Sequence, residues 1–398
     1  MLKDKTVVLG ITGGIAAYKA AELTRLLIKA GADVHVIMTK GAAEFITPLT
    51  LQTLSKNPVH TDLFSLTQEA EVGHISLADR ADIFVIAPAT ANLIGKISHG
   101  IADDLLSTTT MATKAPVLLA PAMNCNMYEN PIVQENMSKL RGHGYHFIDS
   151  ETGELACGYE GKGRMAEPSD ILEEIETILS PKDLKSERVL ITAGPTFEAI
   201  DPVRFIGNRS SGKMGYALAK SALRRGAQVT LISGPSSHKP PRGSRFIGIE
   251  SAEEMKRVVT ANLKDATIVI MSAAVADYKP AKAASEKIKK GKGGLSLELE
   301  RTPDILSEVG KRKGKRLVIG FAAETENLVA NATNKLKEKN LDLIVANNVK
   351  EPGAGFGVDT NIVTIIDRNG TIEELPQMTK EEVAGFVLDR ISPLSWTR

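Results

Sequence analysis

The chain has 398 residues, 42% of them hydrophobic and 24% charged, with a formal net charge of +1. At roughly 100–200 residues per domain this length predicts two or three domains, and the composition excludes long disorder. No apolar run reaches the ~18 residues that a membrane-spanning helix needs. Two cysteines cannot build a disulfide framework, and the N-terminus shows no signal or transit pattern. A cytoplasmic protein without a membrane partner is expected.

The small net charge conceals an asymmetry. Residues 1–180 hold 14 Lys+Arg against 22 Asp+Glu, a balance of −8, whereas residues 181–398 hold 35 against 26, a balance of +9. A basic half can mean nucleic acid, but with 4% aromatic residues a stacking surface is hard to assemble. Small polyanions such as nucleoside triphosphates are the better partners.

In chain order, Thr6–Leu9 is a β-type run, followed by the glycine turn Gly10-Ile11-Thr12-Gly13-Gly14. Ile15–Gly31 has helical spacing with Gly31 as its stop, and Val34–Met38 is the next strand. Asp82–Ala87 and Val117–Ala120 read as buried strands. Ser180–Glu187 is polar and carries a proline, so 181–187 is the expected linker between domains at 1–180 and 188–398. The grammar then restarts: strand Val189–Ile191, the turn Thr192–Thr196, helix Gly215–Arg225 closed by Gly226, and strand Gln228–Ile232. Further strands are expected at Thr267–Ser272, Leu317–Gly320, Leu341–Ala346 and Ile362–Ile366. Thr302-Pro303-Asp304 marks a helix start with proline at its first position, and Thr379–Glu382 is a capping box. Two doubly wound, Rossmann-like α/β domains follow from this alternation.

A strand, glycine turn and helix suit a phosphate, and equally serve to pack helix on strand. Gly10–Gly14 is not G-x-G-x-x-G. Neither the strand ending in Met38-Thr39 nor the one ending in Ser233-Gly234 finishes in an acid, so neither half reads as an NAD site. Thr39 fits a mononucleotide such as FMN better. Gly207–Met214 nearly matches a P-loop, but Met214 stands where Ser or Thr must ligate Mg²⁺. Pro121–Asn124 follows a buried strand at the edge where doubly wound folds place ligands; a capped turn is the alternative. Cys157 lies in the glycine-rich Gly153–Arg164, and as a free thiol can donate a proton. His74 precedes an apolar helical stretch and can relay protons; a solvated or core-satisfied histidine is the alternative. His143 and His146 lack partners for a zinc set. Asp277 lies just beyond a strand, about ten residues before the lysine run Lys287–Lys292, which as a solvated face is the alternative to a triphosphate contact. Lys335 and Lys339, four apart, share one side of a helix, as charge neutralisation of a triphosphate requires.

These motifs resemble one family over nearly the whole chain: the bifunctional phosphopantothenoylcysteine decarboxylase / phosphopantothenate–cysteine ligase of coenzyme A biosynthesis. In the first half the resemblance is carried by Gly10–Gly14, Gly73-His74, Ala87–Asn92, Pro121–Asn124 and Leu155–Gly158. In the second it is carried by Ile191–Thr196, Asp201–Arg204, Asn208–Lys213, Ala273–Asp277, Lys287–Lys290 and Gly320–Thr325. Gly14 stands where many members of the family have Ser.

The resemblance implies FMN held by Gly13, Gly14, Thr39, Ala89, Thr90, Asn92 and Met123. Asn124 would hold the substrate carboxylate, Cys157 would supply a proton and His74 would assist its movement. For the ligase it implies CTP and Mg²⁺. Ala273, Pro303, Asp304, Ile305, Leu306 and Phe321 would line the nucleotide site. Asp277 would stand near the metal, Lys335 and Lys339 on the triphosphate, Lys287 at acyl transfer and Asn208 on the activated intermediate. Flavin-domain trimers and ligase-domain dimers would together build a dodecamer. A flavin prenyltransferase is a rival for the first half alone, as is a regulatory flavoprotein without catalysis. The Cys157 loop and the fused basic half argue against both.

Overall fold

The computed structural model describes residues 2–63, 73–154, 160–290, 294–355 and 357–396. The chain divides into two compact units, Met1–Ser180 and Pro181–Arg398.

In the first unit the strands are β1 (Thr6–Ile11), β2 (Asp33–Met38), β3 (Val59–His60), β4 (Ile83–Ala89), β5 (Val117–Pro121) and β6 (His146–Phe147). They form one parallel sheet in the order β3-β2-β1-β4-β5-β6. Every residue of β4 and β5 is buried, as strands covered by helices on both faces require. The helix expected over Ile15–Gly31 is two elements. A 3₁₀ turn, Ile15–Tyr18, opens it, and the α-helix is Lys19–Lys29; tightening of the first turn by i→i+3 bonds is common at helix starts. The α-helix buries Ala20, Leu23, Thr24 and Leu27, the stripe of an amphipathic helix. Leu23 and Leu27 are fully buried and contribute about 1.5–3 kcal/mol each, so Leu23→Ala would weaken the helix's seat most directly. The hairpin β7 (Glu151–Glu154) and β8 (Glu160–Arg164) is antiparallel.

The second unit contains β9 (Arg188–Ala193), β10 (Phe197–Ala199), β11 (Phe205–Gly207), β12 (Gln228–Ser233), β13 (Arg245–Gly248) and β14 (Ile268–Met271). They are followed by β15 (Tyr278–Pro280), β16 (Leu299–Arg301), β17 (Leu317–Glu324), β18 (Leu343–Asn348), β19 (Thr360–Asp367) and β20 (Ile372–Thr379). Its main sheet runs β13-β12-β9-β14-β17-β18-β19-β20. The first six strands are parallel and repeat the first unit's winding, whereas β19 and β20 are added antiparallel. Gly31 and Gly226 end the equivalent helices with φ of +91° and +88°, the left-handed stop that glycine supplies without steric cost. Leu184 is fully buried in this unit's core, and Arg225 Nε donates to Asp183 at 2.8 Å.

One helix start differs from expectation. Asp304, not Thr302, caps Ile305–Lys311, accepting the Ser307 N–H at 2.9 Å, so Pro303 precedes the cap. The Thr302 N–H donates to the Asp277 carbonyl at 3.0 Å, which keeps the chain extended until Asp304. The Thr379 capping box forms as read, with the Thr379 N–H on Glu382 at 2.8 Å and the Glu382 N–H on Thr379 Oγ1 at 3.2 Å.

Candidate functional site

Each unit has a cavity at the carboxyl ends of its parallel strands. The first measures about 1210 Å³. It is lined by Thr12–Gly14 after β1, Thr39 after β2, Thr90–Asn92 after β4 and Ala122–Asn124 after β5. Strand order reverses between β1 and β4, where doubly wound sheets open a crevice. Thr12 stitches that crevice: its hydroxyl donates to the Pro88 carbonyl at 2.7 Å and accepts the Thr90 N–H at 3.1 Å.

Gly13 and Gly14 differ in kind. A Cβ on Gly13 would lie 2.7 Å from the Gly41 carbonyl carbon, while one on Gly14 would meet only Thr90 Cγ2, at 3.8 Å. Gly13 is therefore required for close approach, whereas Gly14 has room for a small side chain. Thr39 caps the short helix Lys40–Ala43 by accepting the Ala42 N–H at 3.2 Å, and its hydroxyl proton remains able to donate. Thr90 caps Ala91–Ser98 without a side-chain bond, which leaves first-turn N–H groups at the cavity wall beside Asn92.

Asn124 accepts the Asn126 N–H at 2.9 Å, and the Met123 N–H donates to Gly163 of β8 at 3.0 Å. The β7–β8 hairpin is thereby tied to the loop that carries Asn124. Cys157 falls between its arms and lies outside the described residues. His74 belongs to the helix Gly73–Arg80, but its side chain lies outside the described residues. Ala89 was expected at the flavin and does not line the cavity. It is fully buried because it ends β4 inside the sheet, and its carbonyl accepts the Ala122 N–H at 3.0 Å.

Sequence reasoning missed several lining groups. Buried Lys19 donates to Glu167 at 2.8 Å, and Glu167 also meets Arg164 at 2.9 Å. Lys96 bridges Asp103 at 2.6 Å and Asp104 at 2.9 Å. Those two carboxylates raise the Lys96 ammonium. Burial alone would raise the Asp104 carboxyl, but the Ser107 N–H and Lys96 outweigh it and hold it low. The spacing Asp104-x-x-Ser107 was the available signal, since it forms a capping box.

The second cavity measures about 780 Å³. Asn208, Ala273, Asp277, Pro303, Asp304, Ile305, Leu306, Phe321, Lys335 and Lys339 all line it. Asn208 Nδ2 donates to the carbonyls of Ala274 and Val275, at 3.1 and 3.0 Å. Neither lysine stands alone: Lys335 pairs with Glu324 at 2.6 Å and Lys339 with Asp304 at 3.2 Å. Two further lysines line the same space, Lys213 of the near P-loop and Lys380, which sequence reasoning missed. Lys213 donates to Asp359 at 2.6 Å and to the Gly357 carbonyl at 2.7 Å. Buried Lys380 donates to the carbonyls of Gly355 and Val358, and desolvation, helped by Lys213, lowers its ammonium.

Lys287 departs from expectation. It is exposed and does not line the cavity, because the chain at Ile288 is held instead by Asp201 and Arg204. No group of three or more His, Cys, Asp or Glu able to hold a metal occurs among the described residues. Among them, too, no helix is long and apolar enough to cross a membrane.

Comparison with known proteins places these features in one context. The family described as Flavoprotein matches residues 1–180, and that described as DNA/pantothenate metabolism flavoprotein C-terminal domain matches residues 184–394. The chain is 51% identical over 399 residues to the coenzyme A biosynthesis bifunctional protein CoaBC of Bacillus subtilis (strain 168), covering 99% of this chain and 98% of that protein. It is 47% identical over 393 residues to the protein of the same name from Vibrio cholerae, covering 98% of each. A cysteine/cysteine sulfinic acid decarboxylase from an unknown prokaryotic organism is 47% identical over 356 residues, 88% of this chain and 99% of that one. The chain belongs to the family of bifunctional coenzyme A biosynthesis proteins, with a flavoprotein domain followed by a pantothenate-metabolism domain.

Proposed function

We propose that the two cavities serve consecutive reactions in the cytoplasm. The second unit joins 4′-phosphopantothenate to cysteine at the expense of CTP, and the first converts the resulting phosphopantothenoylcysteine to 4′-phosphopantetheine and CO₂. The observation that carries this reading is the second cavity, where ten residues chosen from five separated stretches of sequence line one space.

In the ligase unit a carboxylate must become an acyl donor before an amine can attack it. The phosphopantothenate carboxylate attacks the α-phosphorus of CTP, pyrophosphate leaves, and an acyl-cytidylate forms. The cysteine amine then attacks the acyl carbon, the amine loses a proton and CMP departs. Lys335 and Lys339 move onto the triphosphate, charge-assisted contacts being the strong ones. Phe321 and the Ala273 backbone line the base pocket, Asn208 holds the acyl-cytidylate, and Lys287 offsets charge during acyl transfer. Asp277 is the residue that would stand near Mg²⁺, an ion that would neutralise triphosphate charge and that needs few protein ligands when phosphate and water supply the rest.

In the first unit the cradle admits no side chain at Gly13, and with Gly14, Thr39, Thr90, Asn92 and Met123 it fits FMN. Bound FMN supplies reversible two-electron chemistry, which lets a carboxylate without an electron sink of its own lose CO₂. Asn124 orients the carboxylate, Cys157 donates the proton that completes the product, and His74 assists proton movement.

The test is reconstitution with 4′-phosphopantothenate, cysteine, CTP and Mg²⁺, each omitted in turn and CTP replaced by ATP. CO₂ and pyrophosphate should appear only with the complete set. Pyrophosphate release that ignores phosphopantothenate would remove the ligase reading. CO₂ from free cysteine alone would move the first unit to the chemistry named for its cysteine decarboxylase relative. Light scattering tests the dodecamer of flavin-unit trimers and ligase-unit dimers.

A further inference from the structure

Lys213 and Lys380 line the second cavity together, and the reaction proposed above leaves both unused. Lys380 is buried, and its ammonium donates to the carbonyls of Gly355 and Val358. Lys213 donates to the carbonyl next in the chain, that of Gly357, at 2.7 Å. The two ammoniums are therefore neighbours. After desolvation, repulsion by Lys213 is what lowers the Lys380 ammonium. They share one counter-ion, Asp359, which stands 2.6 Å from Lys213 with its side chain 86% exposed. Two positive charges thus face one carboxylate that water can readily take back. Stability does not ask for this arrangement, because an apolar side chain of similar volume in place of a buried charge is often neutral or stabilising.

The pair also stands on its own face of the sheet. Leu218 of the helix Lys213–Arg224 and Val383 of the helix Lys380–Trp396 are buried in one core with Ile191 of β9 and Ile270 of β14. Leu336 of the helix Leu328–Glu338, which carries Lys335, is buried in another core with Leu190 and Val269. Successive residues of a strand point to opposite faces, so the two lysine groups reach the cavity from opposite sides of the sheet.

Ligation brings two anions into this cavity. Lys335 and Lys339 are assigned to the triphosphate of CTP, and the phosphate monoester of 4′-phosphopantothenate has no partner yet. The substrate carboxylate must meet the α-phosphorus, which sends the monoester at the substrate's other end away from the triphosphate. We propose that Lys213 and Lys380 hold this monoester and set the preference of the ligase for 4′-phosphopantothenate over pantothenate, an assignment that rests on the ligase reading of the second unit. The phosphate replaces the Asp359 carboxylate on Lys213, and charge-assisted bonds to both lysines fix it.

Calorimetric titration of the full-length chain with 4′-phosphopantothenate, with pantothenate and with CTP and Mg²⁺ tests the assignment in the wild type, Lys213→Met, Lys213→Arg and Lys380→Met. Lys213→Met should bind 4′-phosphopantothenate about 10- to 100-fold more weakly, the loss of one hydrogen bond to a charged group. Its preference over pantothenate should shrink by the same factor, while CTP affinity holds. Lys213→Arg keeps the charge and should recover most of the loss. Lys380→Met should behave like Lys213→Met, and if it does not fold, the two Lys213 variants decide.

Weaker binding of CTP with 4′-phosphopantothenate unaffected gives the pair to the triphosphate and overturns the proposal. Equal losses for both acids overturn it as well, and so does a wild type that binds pantothenate as tightly as its phosphate ester. Binding needs no turnover. A chain that holds 4′-phosphopantothenate through these lysines yet releases no pyrophosphate with CTP contradicts the ligase reading and leaves the phosphate site standing.

Discussion

Gly13 and Gly41 meet backbone to backbone: a Cβ on Gly13 would stand 2.7 Å from the Gly41 carbonyl carbon and 2.8 Å from its oxygen. The turn after β1 and the short helix after β2 therefore close on each other with no space for a methyl group on Gly13. Gly13→Ala should distort the cradle at about 1–3 kcal/mol, the usual magnitude of overpacking, and the purified protein should lose most of its yellow colour. Gly14→Ser should keep it. Flavin absorbance per chain decides, and equal flavin content in the two variants would contradict the steric account.

Lys335 reaches the second cavity from the helix Leu328–Glu338. Lys335→Met should raise the KM for CTP about tenfold, with kcat changed less, since a lost hydrogen bond to a charged group is worth about 1.5–3 kcal/mol. Decarboxylation should not respond. Steady-state kinetics with CTP varied is the measurement, and an unaltered KM would remove Lys335 from the nucleotide.

Cys157→Ser should ligate normally and stall decarboxylation after CO₂ release, because a hydroxyl is a far weaker acid than a thiol. Quenched reactions followed by mass spectrometry should show an oxidised, decarboxylated product in place of 4′-phosphopantetheine. Normal turnover would assign the proton to another group.

Burial alone would lift the Asp201 carboxyl, but the N–H groups of Val203, Ile288 and Arg204, with the Arg204 guanidinium, hold it at about 2. An unfolded aspartate titrates near ~3.9. Between those values the unfolded chain binds more protons, so this contribution is complete above about pH 4 and is lost as pH falls through about 2. The urea midpoint of the second unit should climb across that interval, and Asp201→Asn should flatten part of the climb. Identical slopes would show that Asp201 is not held low.

The strand–turn–helix repeat was legible because β1, β4 and β5 are buried on both faces and read as unbroken apolar runs. The two-residue strands β3 and β6 have no periodicity to detect. The direction of β19 and β20 was not visible either, since pairing sense is set by chain connection and not by composition. At the sites, turn residues next to strand ends were readable, whereas ion pairs between distant segments were not. Lys19 meets Glu167 across 148 positions, and no local pattern announces such a partner. The exposed setting of Lys287 was unreadable for the same reason: the neighbouring Ile288 N–H is held by Asp201, far upstream.

Glu324 and Asp304 already sit against Lys335 and Lys339. A triphosphate bound there as proposed would exchange one set of anions for another and would not quench bare ammoniums. Its capture should depend less steeply on ionic strength than two lysines in isolation would dictate, with the two carboxylates as its outgoing counter-ions.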